Sequence, residues 1–226
     1  MGGIDDEDLL ATVEAYNPRT NTWRSCLPLS QRREGAVAGV VGGRLVVAGG
    51  FDDVGNLTSV EAYTPTGWTP LPPLPHAPRE ATACVLDGRL YVMGGSRCNK
   101  LQVLEWSEEN GFSWTIKADL PSARYAAASA VVDEKLWLIG GEAEDLEEND
   151  DEENDSILIY DPEGDTWTTG PPLPYDVPPW CCAAMHDGEL HLISRRGTLI
   201  YRDGVWLEVA GGPHVYGAPC QSLRLG

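Results

Sequence analysis

No apolar run in this 226-residue sequence approaches the 18 residues that a membrane-crossing helix requires. The start of the chain has neither the cationic residues nor the apolar stretch of a secretory leader. Met1-Gly2 resembles the beginning of a myristoylation signal, but Asp6 stands where that signal needs Ser or Thr. Basic residues are few, with 16 Lys and Arg against 35 Asp and Glu, for a net charge of −19. A nucleic-acid binder needs a basic face first, so that class is excluded. The six cysteines (26, 84, 98, 181, 182, 220) show no CxxC spacing, and the four histidines (76, 186, 191, 214) lie far apart. Neither set reads as a zinc site or a disulfide framework. Reduced thiols in a cytoplasmic or nuclear protein are expected, and the sequon at Asn56-Leu57-Thr58 is expected to be idle. No segment keeps a helical period over three turns.

Glycine and proline are abundant instead, at 25 and 17 residues, which suits a chain full of turns. Gly-Gly pairs end apolar runs at 2–3, 49–50, 94–95 and 140–141, in steps of 47, 45 and 46 residues. The runs read GRLVVAGG, GRLYVMGG and EKLWLIGG. A fourth, GELHLISR, has Ser194-Arg195 where the glycines should be. Aromatic pairs follow at Tyr16 and Trp23, Tyr63 and Trp68, Trp106 and Trp114, Tyr160 and Trp167, and Tyr201 and Trp206. Self-similarity at this period marks a repeat architecture.

A unit of this length accommodates four strands of about 5–6 residues and their turns. Strand a is small and apolar, as in AVAGVV and ATACVL. A tight turn such as Asp87-Gly88 leads to strand b, the run into the glycines. Strand c holds VEAY, VLEW or ILIY, and strand d begins at the second aromatic. The pattern predicts an all-β propeller, with small residues at a crowded hub and aromatics at a wide rim. Its units are expected at 1–30 (partial, lacking strands a and b), 31–75, 76–121, 122–174 and 175–213, with 214–226 as a closing strand.

Gly-Gly, then Tyr, then Trp, a pattern carried over five units with departures at Trp106 and Ser194-Arg195, resembles the kelch repeat. The stretches VEAYNPRTNTW and PREATACVLDGRLYVMGG are most similar to those of Kelch-like proteins. In that family a BTB and a BACK domain precede a propeller, which usually has six blades; the five blade-like units here are then expected either as a fragment of a six-bladed ring or as a five-bladed ring closed by 214–226. These domains recruit a cullin scaffold while the propeller holds a substrate for ubiquitination. Nothing in this sequence resembles BTB or BACK. The resemblance implies a non-enzymatic protein-interaction module without a cofactor, the substrate receptor of a ubiquitin ligase adaptor. Two further readings stay open: a small-molecule enzyme of the epimerase or specifier kind, and an actin-associated scaffold. No His, Tyr and Cys cluster suits a copper centre.

By the same resemblance, the d–a and b–c loops form the binding face. The candidate residues there are Arg33, Glu34, Phe51, Arg79, Glu80, Arg97, Arg124, Tyr125, Trp180 and Arg196. Arg33, Arg79 and Arg124 read as one motif position in three units, which would place three guanidinium groups around one axis for an acidic peptide. The alternative is that these arginines belong to the repeat and are tied to loop backbone or neighbouring acids. Trp180 is either an interface anchor or core. Residues 142–155 contain ten acids and no Lys or Arg; outside them 16 basic and 25 acidic residues leave −9. This insertion is expected to be a solvated loop, with steering of a basic partner as the alternative; a weak calcium site is the least favoured reading, since the DxDxDG spacing is missing.

Overall fold

Alternating apolar strands separated by two-residue turns can only fold back on themselves, and each unit does so as an up-and-down antiparallel sheet. The structure, a computed structural model, describes residues 1–5, 8–143, 152–153 and 156–210. Four sheets have the order a-b-c-d. Blade 2 comprises Val37–Val41, Arg44–Ala48, Val60–Thr64 and Gly67–Leu71. Blade 3 comprises Thr82–Leu86, Arg89–Met93, Leu101–Ser107 and Gly111–Ile116. Blade 4 comprises Ala128–Val132, Lys135–Ile139, Ile157–Asp161 and Thr166–Thr169. Blade 5 comprises Cys182–His186, Glu189–Ser194, Gly197–Arg202 and Val205–Val209. Among the described residues blade 1 is partial, with strands c and d only (Glu14–Asn17 and Thr22–Ser25). A small hairpin, Ile4–Asp5 with Asp8–Leu9, precedes them. The all-β propeller arrangement of four complete blades and a partial N-terminal one is thus present. The closing strand expected at 214–226 lies outside the described residues.

Successive blades meet face to face through four apolar cores. Residues along strand a alternate between the two neighbours, as the pleat requires. Val37 and Val41 join Leu90, Val92 and Leu104 between blades 2 and 3. Cys84, Met93, Leu136 and Tyr160 fill the next gap, and Ala130, Ile139, Leu190 and Leu192 the one after. Val13, Leu29 and Val47 form a smaller core between blades 1 and 2. Each fully buried Leu among them contributes about 1.5–3 kcal/mol. The hub is tight. A Cβ added to Gly39 in strand a would stand 2.6 Å from Leu90 Cδ1 and 2.7 Å from Val85 Cγ2.

The aromatic pairs sit directly opposite one another on strands c and d at Tyr16/Trp23, Tyr63/Trp68, Tyr160/Trp167 and Tyr201/Trp206, with ring centroids 5.1–5.3 Å apart. Blade 3 departs from the expected pairing. Leu104, not Trp106, lies opposite Trp114, and Trp106 is paired with Phe112. Strands c and d are longer there, and Trp106 leans on Gly42 in the a–b turn of blade 2, where a Cβ would meet its ring at 2.8 Å. The strand-d indoles also clamp blades together. Trp68, Trp114 and Trp167 donate from Nε1 to the carbonyls of Leu27, Pro72 and Ala118 in the preceding linker, each at 2.9 Å. Trp206 Nε1 is buried with no acceptor among the described residues, and Trp23 is 67% exposed.

Candidate functional site: the paired loops at one end of the blades

The residue after the glycines and the residue leading into strand a of the same blade are bridged in three blades. Phe51 pairs with Glu34, Ser96 with Arg79, and Glu142 with Tyr125. The b–c and d–a loops therefore share one end of the molecule. The second glycine permits this because a side chain there has no room. A Cβ on Gly50, at φ +85°, would lie 2.4 Å from the Glu34 carbonyl oxygen. One residue further on, Gly35, Glu80, Ala126 and Trp180 all adopt positive φ (61°, 57°, 53° and 64°). The Ala126 N–H donates to the Glu80 carbonyl, and the Trp180 N–H to that of Ala126. These residues step from blade to blade around the loop end, and the half-buried Trp180 belongs to that series.

The bridges correct the expected three-arginine pocket. Arg79 shares its register with Glu34 and Tyr125, and Pro78 holds the place of Arg33 and Arg124. The spacing carries the signal: the first glycine follows Arg33 and Arg124 by 16 residues, but Arg79 by 15. Arg33 and Arg124 are 0% and 2% exposed and point into their blades, so neither presents a guanidinium to a partner. Arg33 donates from Nη1 to the carbonyls of Gly49 (2.8 Å) and Ser59 (3.1 Å), and from Nη2 to Ser59 Oγ (3.0 Å) and Glu61 Oε1 (2.6 Å). Arg124 repeats the pattern with the Gly140 and Ser156 carbonyls and Ser156 Oγ, at 3.3, 3.1 and 3.0 Å. Burial pushes Arg124 down to about 10, so it remains a cation at neutral pH. Each arginine thus spans the two ends of its b–c loop.

Two kinds of residue in this arrangement went unseen in the sequence. Ser59 and Ser156 precede strand c, where their carbonyls accept from Gly49 and Gly140; Lys100 accepts from Gly94 in the same way. Blade 3 therefore lacks both halves of the clip, having Pro78 and Lys100 in place of arginine and serine. Glu61 and Gln102 occupy one position of strand c and are 3% and 0% exposed. Glu61 Oε2 accepts from the Ser30 N–H at 2.9 Å and from its hydroxyl at 2.5 Å, while Gln102 Oε1 accepts from the His76 N–H at 2.8 Å. Each fastens the linker arriving from the previous blade. A buried polar residue in an apolar strand was the available signal.

Freed from the clip, Arg79 is half exposed. Its guanidinium lies 4.3 Å over the Phe51 ring of the preceding blade, and Nε donates to Glu80 Oε1 at 3.2 Å. Glu34 is half-buried beside this group, and Arg97 is exposed in the b–c loop of blade 3. The Tyr125 hydroxyl donates to Glu142. Glu142–Ala143 also pairs with Glu152–Glu153, so the acidic insertion is rooted on this end by a three-stranded sheet. Residues 144–151, 154 and 155 lie outside the described residues. In blade 5 the b–c loop shrinks to a tight turn between Ser194 and Gly197, and Arg196 at its tip donates to the Asp176 carbonyl.

Among the described residues no three His, Cys, Asp or Glu side chains gather to hold a metal ion. His186 and His191 meet edge to face at 5.5 Å on blade 5, away from the loops. Cys84 and Cys181 are buried, and burial pushes each thiol up to about 11, so neither is a reactive thiolate at neutral pH. No described helix is long and apolar enough to cross a membrane.

The Kelch motif matches residues 1–29, 32–75 and 123–174. Kelch-like protein 35 of Mus musculus is 34% identical over 98 residues, which is 42% of this chain and 17% of that protein. Kelch-like protein 33 of Homo sapiens is 36% identical over 99 residues, 42% of this chain and 19% of that protein. These matches span less than a fifth of each relative. The solved structure of YjhT superimposes with a TM-score of 0.70 at 16% identity, covering 92% of this chain and 82% of that one, a likeness of fold.

Proposed function

The chain belongs to the kelch-repeat family, and from that premise we propose that it is a non-enzymatic protein-interaction module whose paired loops receive a protein or peptide. The observation that supports this most is the bridging of d–a to b–c loops. It gathers an exposed arginine, a ring beneath it and the half-buried Trp180 on one rigid end, the residue types that dominate interface hot spots. The likeness to Kelch-like proteins extends the reading: the module is the substrate receptor of a cullin-RING ubiquitin ligase adaptor of the BTB-Kelch type, working in the cytoplasm or nucleus.

Proximity labelling with the full chain tests both parts. The loop variants Arg79→Ala and Trp180→Ala are compared with a variant at the opposite a–b turns, Asp133→Ala. A set of labelled proteins that disappears with the loop variants and survives Asp133→Ala is expected, and equal labelling by all four chains would overturn the interaction reading. Blocking cullin neddylation should lengthen the lifetime of the labelled proteins. An unchanged lifetime would remove the ligase part and leave the interaction part standing.

A further inference from the structure

Deepening that reading, on which it rests, we propose that Arg79 is the anchor for a single side-chain carboxylate of a peptide partner. The one-residue register difference carries the idea. At the clip position an arginine is consumed by backbone carbonyls, as Arg33 and Arg124 are. Shifted by one residue, Arg79 is exposed yet still held in a defined plane. The Phe51 ring lies beneath it at 4.3 Å, and Glu80, whose side chain is only 13% exposed, accepts from Nε at 3.2 Å. Among the described residues no acceptor meets Nη1 or Nη2. What remains open is the edge with two parallel N–H bonds, the geometry that a carboxylate fits bidentately. Ring and Glu80 restrict the rotamers in advance, which lowers the entropy lost when a partner docks. Gly35, at φ +61°, lies against the assembly: a Cβ there would be in ordinary contact with the Phe51 ring at 3.4 Å and with Glu80 Cγ at 3.7 Å.

The surroundings decide the class of ligand. Glu80 is already in contact, and Asp52 and Asp53 follow Phe51 in the same loop. A phosphate dianion would meet like charge that a single carboxylate meets less, and a run of acids would be repelled. The fitting partner is a peptide with one Asp or Glu among neutral or basic neighbours.

The test is selection from a random dodecamer display library on the intact chain, with affinities of amidated synthetic peptides read by fluorescence anisotropy. The expected peptides share one acid, and changing it to Gln weakens binding at least tenfold. In Arg79→Gln, and in Arg79→Lys, which keeps charge but loses the fork, the Glu and Gln peptides bind within twofold of each other. A Glu-to-Gln penalty that persists in Arg79→Gln, or selected peptides with no shared acid, would overturn the anchor. Tighter binding of a phosphoserine peptide would overturn the carboxylate class. If no peptide is selected at all, the interaction reading falls, and the anchor with it.

Discussion

Ser59 offers Arg33 both of its oxygens, the carbonyl at 3.1 Å and the hydroxyl at 3.0 Å, from 26 residues further along the chain. The arginine thereby ties the entry of strand a to the exit of the b–c loop in its own blade, and Glu61 neutralises it at 2.6 Å. Removing the guanidinium leaves the Glu61 carboxylate buried and uncompensated. Arg33→Ala should cost about 3–5 kcal/mol in urea unfolding, whereas Arg79→Ala at the exposed site should cost less than about 1 kcal/mol. Equal losses would mean that burial does not separate the two arginines.

Blade 3 lacks the clip because both partners are replaced, so it can be rebuilt only by restoring both. Pro78→Arg alone buries a cation beside Lys100, and Lys100→Ser alone gains nothing to bind. The double variant should be more stable than the two single effects predict by about 1 kcal/mol or more, measured as a double-mutant cycle.

The tryptophan clamps should behave unequally. Trp68→Phe removes the 2.9 Å bond to the Leu27 carbonyl and should cost about 1–2 kcal/mol. Trp23 is 67% exposed, and Trp23→Phe should stay within about 0.5 kcal/mol. Thermal unfolding of the two variants separates them.

Glycines at positive φ divide by what lies beside them. Gly88→Ala, in an open turn with nothing within 4 Å of the added Cβ, should cost about 1–2 kcal/mol of left-handed strain. Gly50→Ala adds a collision with the Glu34 carbonyl and breaks the loop bridge. It should destabilise more than Gly88→Ala, and hydrogen exchange at the Phe51 amide should rise in it alone.

Asp165 links strand d of blade 4 to the linker before it, accepting from the Tyr160 hydroxyl at 2.6 Å and from the Ala118 N–H at 2.8 Å. The Tyr160 bond first, and then the Ala118 bond, hold its carboxyl below the ordinary range. The folded state thus binds the proton less readily than the unfolded chain. The stability this gives is fully present above about pH 4, the unfolded value, and is lost as pH falls through the lower folded value. The stability gap between wild type and Asp165→Asn should be constant from pH 5 to 7 and shrink below pH 4. A gap independent of pH would show that the carboxylate charge plays no part.

Much of this organisation is legible in one dimension. Gly-Gly pairs at near-constant steps, Asp-Gly turns and strand-c tyrosines set the number of described blades, the order of their strands and four of the five aromatic pairings. Chain spacing and backbone sterics act locally, and repetition multiplies a weak signal. The loop end was legible as a region, but its side chains were not. Whether an arginine is a strut or a hand depends on a one-residue difference beside Pro78, and on whether a serine or Lys100 waits across the loop. The two serines are 26 and 32 residues from their arginines in sequence and meet them only once the blade has closed. Burial then selects between roles, because a guanidinium enclosed among carbonyls cannot be reached by a partner, and one raised onto a ring keeps its outer edge exposed.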